Sequence, residues 1–187
     1  MGEHEIARRA VFLDRDGVIN RVVVRNGIPH PPAGVEEFEL YDDVADGCAR
    51  LKAANFLLVV ISNQPDVGRG TQSRQAVEAM NLKMQSALPL LDRVEICYHA
   101  GERFGDLCDC RKPRPGLIRS AAGALNVDPK TSYVIGDRWR DVDCAHAAGC
   151  RAILIQRNYD ETLREIPDFI VANFSEAVGA VLRDASS

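Results

Sequence analysis

The chain has 187 residues, 46% of them hydrophobic, with a formal net charge of −4. That is enough apolar material for one ordinary core and too little length for a large second domain, so a single domain over 1–187 is expected. The acidic balance, with Lys and Arg scattered along the chain, argues against nucleic acid or an anionic membrane surface as a partner.

The first residues, "MGEHEIARRA", mix both charge signs and lack the apolar stretch of a signal peptide. Ile6 stands where an acylation motif needs Ser or Thr. No run approaches the roughly 20 apolar residues of a membrane helix. A cytoplasmic monomer acting on a small molecule is the expectation. In that setting the six cysteines point to burial, catalysis or metal binding rather than to disulfides.

Short apolar runs rich in β-branched residues follow one another along the chain: "AVFLD" at 10–14, "LLVVIS" at 57–62, "VEICY" at 94–98, "SYVIGD" at 132–137, "RAILI" at 151–155 and "DFIV" at 168–171. Most are apolar throughout instead of alternating, which suits strands covered on both faces. Between them run helical patterns at 44–54, 73–88, 115–125, 141–148 and 175–182. Punctuation agrees: Ser73 can cap a helix, Pro115 suits a first turn, and Asn126 and Gly149 stand where helices stop. Strand alternating with helix predicts an α/β, Rossmann-like parallel sheet with right-handed crossovers and helices on both faces. Two connections exceed the usual four to six residues. They are 21–42, which contains Pro29, Pro31 and Pro32, and the stretch from Tyr98 to Arg114.

Ligands of an open parallel sheet bind beyond the carboxyl ends of its strands. Asp14 and Asp16 end the first run, Ser62, Asn63 and Gln64 the second, Cys97 and His99 the third, and Asp137 the fourth. Residues i and i+2 of an extended chain face the same way, so Asp14 and Asp16 can enter one site. Their mutual repulsion is tolerable with a cation between them, and Asp137 supplies a third acidic group. Few protein carboxylates with positions left for water describe a Mg²⁺ site for phosphate chemistry. Lys112 and Ser62 add a fixed positive charge and a hydroxyl donor for a phosphoryl group.

Taken singly, each feature has a plainer reading. Asp-x-Asp at a strand end is commonly a turn, Arg111-Lys112 a solvated pair, and Asp141 a helix cap, which keeps Asp141 out of the metal shell. Trp139 fits either the substrate mouth or an exposed helix start. Cys48, Cys144 and Cys150 fall on apolar positions and belong to the core.

Together, "DRDGVIN", "VISNQ", "CRKPRPG" and "VIGDRWRDVDCA" resemble, in order and spacing, the four motifs of the haloacid dehalogenase-like (HAD) phosphatases. The resemblance implies a Mg²⁺-dependent phosphoric monoester hydrolase with Asp14 as nucleophile and Asp16 as general acid and base. It also implies that Ser62 and Lys112 hold the phosphoryl oxygens. Asp14, Asp137 and Asp16, the last through its main-chain carbonyl, are the implied Mg²⁺ ligands. Asn20, Asn63, Gln64, Arg111 and Arg138 are the candidates to contact substrate. The stretch 21–42 lies where the superfamily carries a flap over the site, and no segment is long enough for a separate cap domain.

A narrower likeness lies at 97–110. Cys97-x-His99 followed by Cys108-x-Cys110 resembles the zinc loop of the D-glycero-D-manno-heptose 1,7-bisphosphate phosphatases and of the histidinol-phosphate phosphatases. Cys₃His is a closed set, so the implied zinc is structural, and it would present Arg111 and Lys112 to substrate. The heptose enzymes carry Thr at the position of Ser62 and Lys at that of Arg138. "SYVIGDR" and "VISNQ" lie nearer the histidinol-phosphate enzymes, and "RKPRPG" nearer the heptose enzymes. A heptose bisphosphate is the leading substrate, histidinol phosphate the second, and a non-catalytic zinc-stabilised binding module the reading from another class.

Overall fold

The computed structural model describes residues 7–186; positions 1–6, including the N-terminal feature at Ile6, lie outside the described residues. In chain order the elements are β1 (Ala10–Leu13), β2 (Val23–Arg25), β3 (Ile28–His30), α1 (Val44–Ala53), β4 (Leu57–Asn63), α2 (Pro65–Gly68), α3 (Arg74–Ala87), β5 (Arg93–Cys97), α4 (Gly116–Leu125), β6 (Tyr133–Gly136), α5 (Trp139–Ala148), β7 (Arg151–Ile155), β8 (Phe169–Val171) and α6 (Phe174–Asp184). Six strands form one sheet in the order β5-β4-β1-β6-β7-β8, and every neighbouring pair in it is parallel.

The unbroken apolar runs follow from cover on both faces. Successive side chains of β1 alternate between two cores. Val11 and Leu13 join Val44, Leu51, Val77, Met80, Phe174 and Val178 from α1, α3 and α6. Ala10 and Phe12 join Leu117, Ile118, Val142 and Ala145 from α4 and α5. Cys48, Cys144 and Cys150 are buried in these cores, and burial pushes their thiols up to about 12.

The chain leaves β1 toward β4 and β5, then returns past β1 to lay down β6, β7 and β8. The strand order therefore reverses beside β1, which opens a crevice at the carboxyl ends of β1, β4 and β6. Among the described residues no separate cap domain covers it.

One ordered element was not anticipated. Within 21–42 the short strands β2 and β3 form an antiparallel hairpin turned by Asn26 and Gly27, both at positive φ (51° and 73°). Asn-Gly is the pair that this tight turn favours. Three-residue strands containing Pro29 carry too little periodicity to announce themselves.

Candidate active site

β1 delivers Asp14 to the crevice. Its amide donates to the Ile135 carbonyl of β6 at 3.0 Å, which anchors the residue between two strands. Asp14 is 8% exposed; its Oδ1 accepts from the Arg15 amide at 2.7 Å and pairs with Lys112 Nζ at 2.9 Å. The Lys112 ammonium also lies 2.6 Å from Asp141 Oδ1 and donates to the Ile61 carbonyl at 3.0 Å, so three oxygens surround it. Burial works against its charge, yet Asp14 and Asp141 outweigh that effect and hold it above the ordinary lysine range.

Asp137, at the end of β6, accepts from the Tyr159 hydroxyl through Oδ2 at 2.8 Å, while its Oδ1 is buried without a hydrogen-bond partner. Oxygens of Asp14, Asp137 and Asp141 lie within 4.8 Å of one another. Burial raises Asp14 to about 6, with Lys112 opposing and Asp141 adding to the rise. Burial and the charges of Asp14 and Asp141 lift Asp137 well above the usual carboxylate range. A crowded, buried acidic group with an orphaned oxygen is the environment that a hard divalent cation relieves, so the residues present fit Mg²⁺. Asp141, read from the sequence as a cap, does both: its Oδ2 accepts from the Arg138 amide at the start of α5 and its Oδ1 faces Lys112.

Gly17 makes the acidic cluster possible. It sits at φ +90°, and a Cβ there would lie 1.8 Å from Asp137 Oδ2. The turn can pass over the carboxylate only without a side chain.

Asp16 reaches the same crevice but is held by other groups. Arg15, fully buried, grips its carboxylate at 3.0 and 3.1 Å and donates to Asn81 Oδ1 of α3 at 2.9 Å. Asn20 donates to Asp16 Oδ1 at 3.0 Å and Gln64 to Oδ2 at 2.7 Å. Asn20 and Gln64 are both buried, so their contacts are with Asp16 rather than with the open cavity. Gln64 also donates to Ser62 Oγ at 2.9 Å; Ser62 is 1% exposed at the end of β4. Asn63 does line the cavity, and its amide brackets the Lys112 backbone, accepting from the Lys112 N–H and donating to the Lys112 carbonyl, each at 3.0 Å.

The crevice opens as a cavity of about 580 Å³. Asp14, Asp16 and Asp137 stand on one side, and the hairpin residues Ile28, Pro29 and His30 on another. The hairpin turn is tied down by the Asp160 amide, which donates to the Gly27 carbonyl at 2.9 Å. Arg157 donates to the Gly17 carbonyl at 2.9 and 3.2 Å. Arg15, Arg157 and Tyr159 are site residues that sequence reasoning did not find.

A carboxylate beside a buried lysine and a cation-ready acidic group is equipped for phosphoryl transfer, and comparison with known proteins gives the arrangement a lineage. The HAD-hydrolase-like family model matches residues 109–177. The D-glycero-beta-D-manno-heptose-1,7-bisphosphate 7-phosphatase of Escherichia coli (strain K12) is 38% identical over 147 residues, 74% of each chain. The enzyme of the same name from Haemophilus ducreyi is 32% identical over 160 residues, 81% of this chain and 85% of that one. A crystal structure of the D,D-heptose 1,7-bisphosphate phosphatase from B. bronchiseptica, complexed with magnesium and phosphate, superposes with a TM-score of 0.79 at 28% identity, covering 94% of this chain and 99% of that one. The chain belongs to the HAD-like phosphatases. It is a phosphoric monoester hydrolase.

Beside the catalytic crevice of this HAD-like phosphatase lies the second cluster that the resemblance implied. Cys97 and His99 leave β5, and Cys108 and Cys110 return just before Arg111 and Lys112. Cys97 Sγ is 3.7 Å from Cys108 Sγ, 3.1 Å from Cys110 Sγ and 3.5 Å from His99 Nδ1; His99 Nδ1 is 3.2 Å from Cys110 Sγ. Ligands about 2.3 Å from a tetrahedral zinc stand roughly 3.8 Å apart, so these atoms fit a zinc ion closely. The three cysteines are free thiols, and burial raises Cys97 and Cys110.

Arg111 is half-buried and donates to the His99 carbonyl at 3.3 Å. Arg138 lines the cavity, but its guanidinium is occupied by Glu161 through Nε at 2.9 Å and through Nη2. No helix among the described residues is long and apolar enough to cross a membrane.

Proposed function

We propose that this chain hydrolyses a phosphate ester of D-glycero-beta-D-manno-heptose 1,7-bisphosphate, releasing the 7-phosphate, as a single-domain, monomeric, cytoplasmic enzyme. The observation that carries the reading is the meeting of Asp14 and Asp137, from separate strand ends, with Lys112, from the loop before α4, at one buried acidic cluster. The names borne by relatives that align over most of this chain support the sugar.

Asp14 attacks phosphorus: a bond forms between its carboxylate oxygen and phosphorus while the ester P–O bond breaks. Asp16 gives a proton to the departing alkoxide. The products of this half are the free alcohol and an aspartyl-phosphate on Asp14. Asp16, now ionised, takes a proton from water, whose oxygen displaces the Asp14 carboxylate from phosphorus and releases inorganic phosphate. Lys112 keeps Asp14 oriented and balances phosphoryl charge, and Ser62 offers a hydroxyl to a phosphoryl oxygen. Arg15, Asn20 and Gln64 donate to the Asp16 carboxyl and fix its orientation, and Asn63 fixes the Lys112 backbone. Asp14, Asp137 and the Asp16 carbonyl would hold Mg²⁺, with Asp141 adjacent, and the ion supplies charge neutralisation at the phosphoryl oxygens. Cys97, His99, Cys108 and Cys110 would hold a structural zinc that stiffens the loop carrying Arg111 and Lys112.

Asp14→Asn removes the nucleophile with little change of shape. Turnover is expected to fall to background while circular dichroism stays native; persistent full activity overturns the nucleophile assignment. A substrate panel containing the heptose bisphosphate and histidinol phosphate, assayed with Mg²⁺, tests the substrate. Preference for histidinol phosphate reverses it.

A further inference from the structure

The turn after β1 is held by a residue that the mechanism does not use. Gly17 is the hub of that turn. It follows Asp16 in the chain, and a Cβ on it would lie 1.8 Å from Asp137 Oδ2 and 3.0 Å from the Tyr159 hydroxyl. Its N–H donates to the Asn20 carbonyl at 2.8 Å. Across a planar trans peptide the Asp16 carbonyl is antiparallel to that N–H, so the same bond aims it. A small movement of Gly17 therefore shifts two groups proposed to hold Mg²⁺: the Asp16 carbonyl through the shared peptide, and the Asp137 carboxylate through contact.

The Gly17 carbonyl accepts from Arg157 Nε at 3.2 Å and from Nη2 at 2.9 Å. The donor stands 140 positions further along the chain, in the segment between β7 and β8. Its guanidinium lies over the Tyr41 ring, 4.4 Å from the centroid, which fixes the plane of the fork. Among the described residues Arg157 pairs with no carboxylate. A charged fork given wholly to one main-chain oxygen is a restraint on that oxygen's position. Two residues on, Tyr159 donates to Asp137 Oδ2, so one short stretch of chain grips both sides of the contact between Gly17 and Asp137.

We propose that Arg157 is a positioning residue for the metal site: by holding the Gly17 carbonyl it sets the Asp16 carbonyl and the Asp137 carboxylate where one divalent cation can meet both. This role rests on the phosphatase reading and deepens it, since it takes those two groups and Asp14 as the ligands. Arg157 does not line the catalytic cavity, so its effect passes through Gly17.

Position and charge predict opposite signs. A guanidinium near a cation site repels the cation, so an arginine acting by charge alone would hinder binding, and its removal would tighten it. An arginine that merely fastens the segment would change the melting temperature and leave affinity as it was. A positioning residue, when removed, weakens binding.

Mn²⁺ is the probe, because it takes the same oxygen ligands as Mg²⁺ and its free form is counted by electron paramagnetic resonance. Its affinity is measured on the full chain without substrate, in wild type, Arg157→Gln and Arg157→Lys, with melting temperatures alongside. Zinc is supplied beforehand, so that Cys97, His99, Cys108 and Cys110 do not take up the probe. Arg157→Gln is expected to weaken Mn²⁺ binding by about 10-fold, the scale on which groups that orient metal ligands act. Arg157→Lys, which keeps the charge and loses the fork, should fall between the two. Unchanged or tighter binding by Arg157→Gln overturns the role. Should that variant fail to melt cooperatively, Arg157→Lys decides: weakened binding upholds the role, and wild-type affinity overturns it. A wild type that binds no Mn²⁺ overturns the proposed ligand set and the role together, an outcome distinct from a variant that binds as wild type does.

Discussion

At the scale of single residues, the site depends on groups that never face the substrate. Arg15 is the largest fully buried side chain among the described residues; its charge is matched by Asp16 and its guanidinium also donates to Asn81. Replacing it by methionine keeps much of the volume but leaves the Asp16 carboxylate without its fork. Breaking a buried ion pair from one side costs about 3 kcal/mol, so Arg15→Met should lower the urea-unfolding free energy by about that amount and depress kcat. A variant as stable as wild type would mean that the pair contributes little. Tyr159 acts on Asp137 in a comparable way. Burial, then Asp137, raises its hydroxyl further above the ordinary tyrosine value, so it remains a donor at any working pH. Tyr159→Phe removes that donor and loosens the carboxylate proposed to bind Mg²⁺; groups that orient metal ligands are worth about 10-fold or more in affinity. The Mg²⁺ concentration giving half-maximal activity should rise accordingly, and an unchanged Mg²⁺ titration argues that Tyr159 only packs.

At the scale of elements, what could be read in advance depends on where the physics is local. Strands covered on both faces must be apolar throughout, so β1, β4, β6 and β7 announce themselves. Their carboxyl ends must carry the chemistry, so Asp14, Asp16, Ser62 and Asp137 could be named together, with Lys112 added from the long loop after β5. Arg15 could not, because a charged residue between two aspartates reads as solvated until α3 places Asn81 beside it, 66 positions away. Tyr159 and Arg157 stand in a stretch without periodicity, and only the folded chain returns them to Gly17 and Asp137. The loop from Cys97 to Cys110 is the intermediate case: its four candidate metal ligands are legible as residue types, whereas the role proposed for them is set by their neighbours in the chain. Cys110 immediately precedes Arg111 and Lys112, so a tetrahedral ion would restrain the backbone that Asn63 clamps from the other side. The protein as purified should therefore contain about one zinc per chain. Removing it with a chelator, then restoring Mg²⁺ alone, should leave the melting temperature lowered and activity unrestored until zinc is returned. Full activity in zinc-free protein would sink the structural role.

At the scale of the whole molecule, the segment that carries Arg157, Tyr159 and Glu161 is fastened to the body of the sheet by titratable contacts. His146, in the last turn of α5, pairs with Glu165 at 2.5 Å and Asp168 at 3.3 Å. Asp168 also meets Arg151 and accepts from the Ala152 amide on β7. Partial burial lowers the His146 pKa, but the hydrogen bonds to Glu165 and Asp168 outweigh it and leave a net rise above 6.5. A histidine whose folded pKa exceeds its unfolded value stabilises the fold fully below about 6.5 and loses that contribution as pH rises through the folded value. The pair is partly exposed and screened, so the effect is small, about 2 °C in a chain of this size. Asp168 is displaced the other way: burial raises it, yet the Ala152 amide, His146 and Arg151 bring it below 3.8. Its own contribution therefore persists down to strongly acid pH and does not confound the window above 6.5. Melting curves from pH 6 to 8 should show wild type losing stability relative to His146→Gln as pH rises, with the two curves converging once the histidine is neutral. Parallel curves across that range would mean that the contacts at Glu165 and Asp168 carry no proton-linked energy, and that the segment over Gly17 is held by its other contacts, those of Arg157, Tyr159, Asp160 and Glu161.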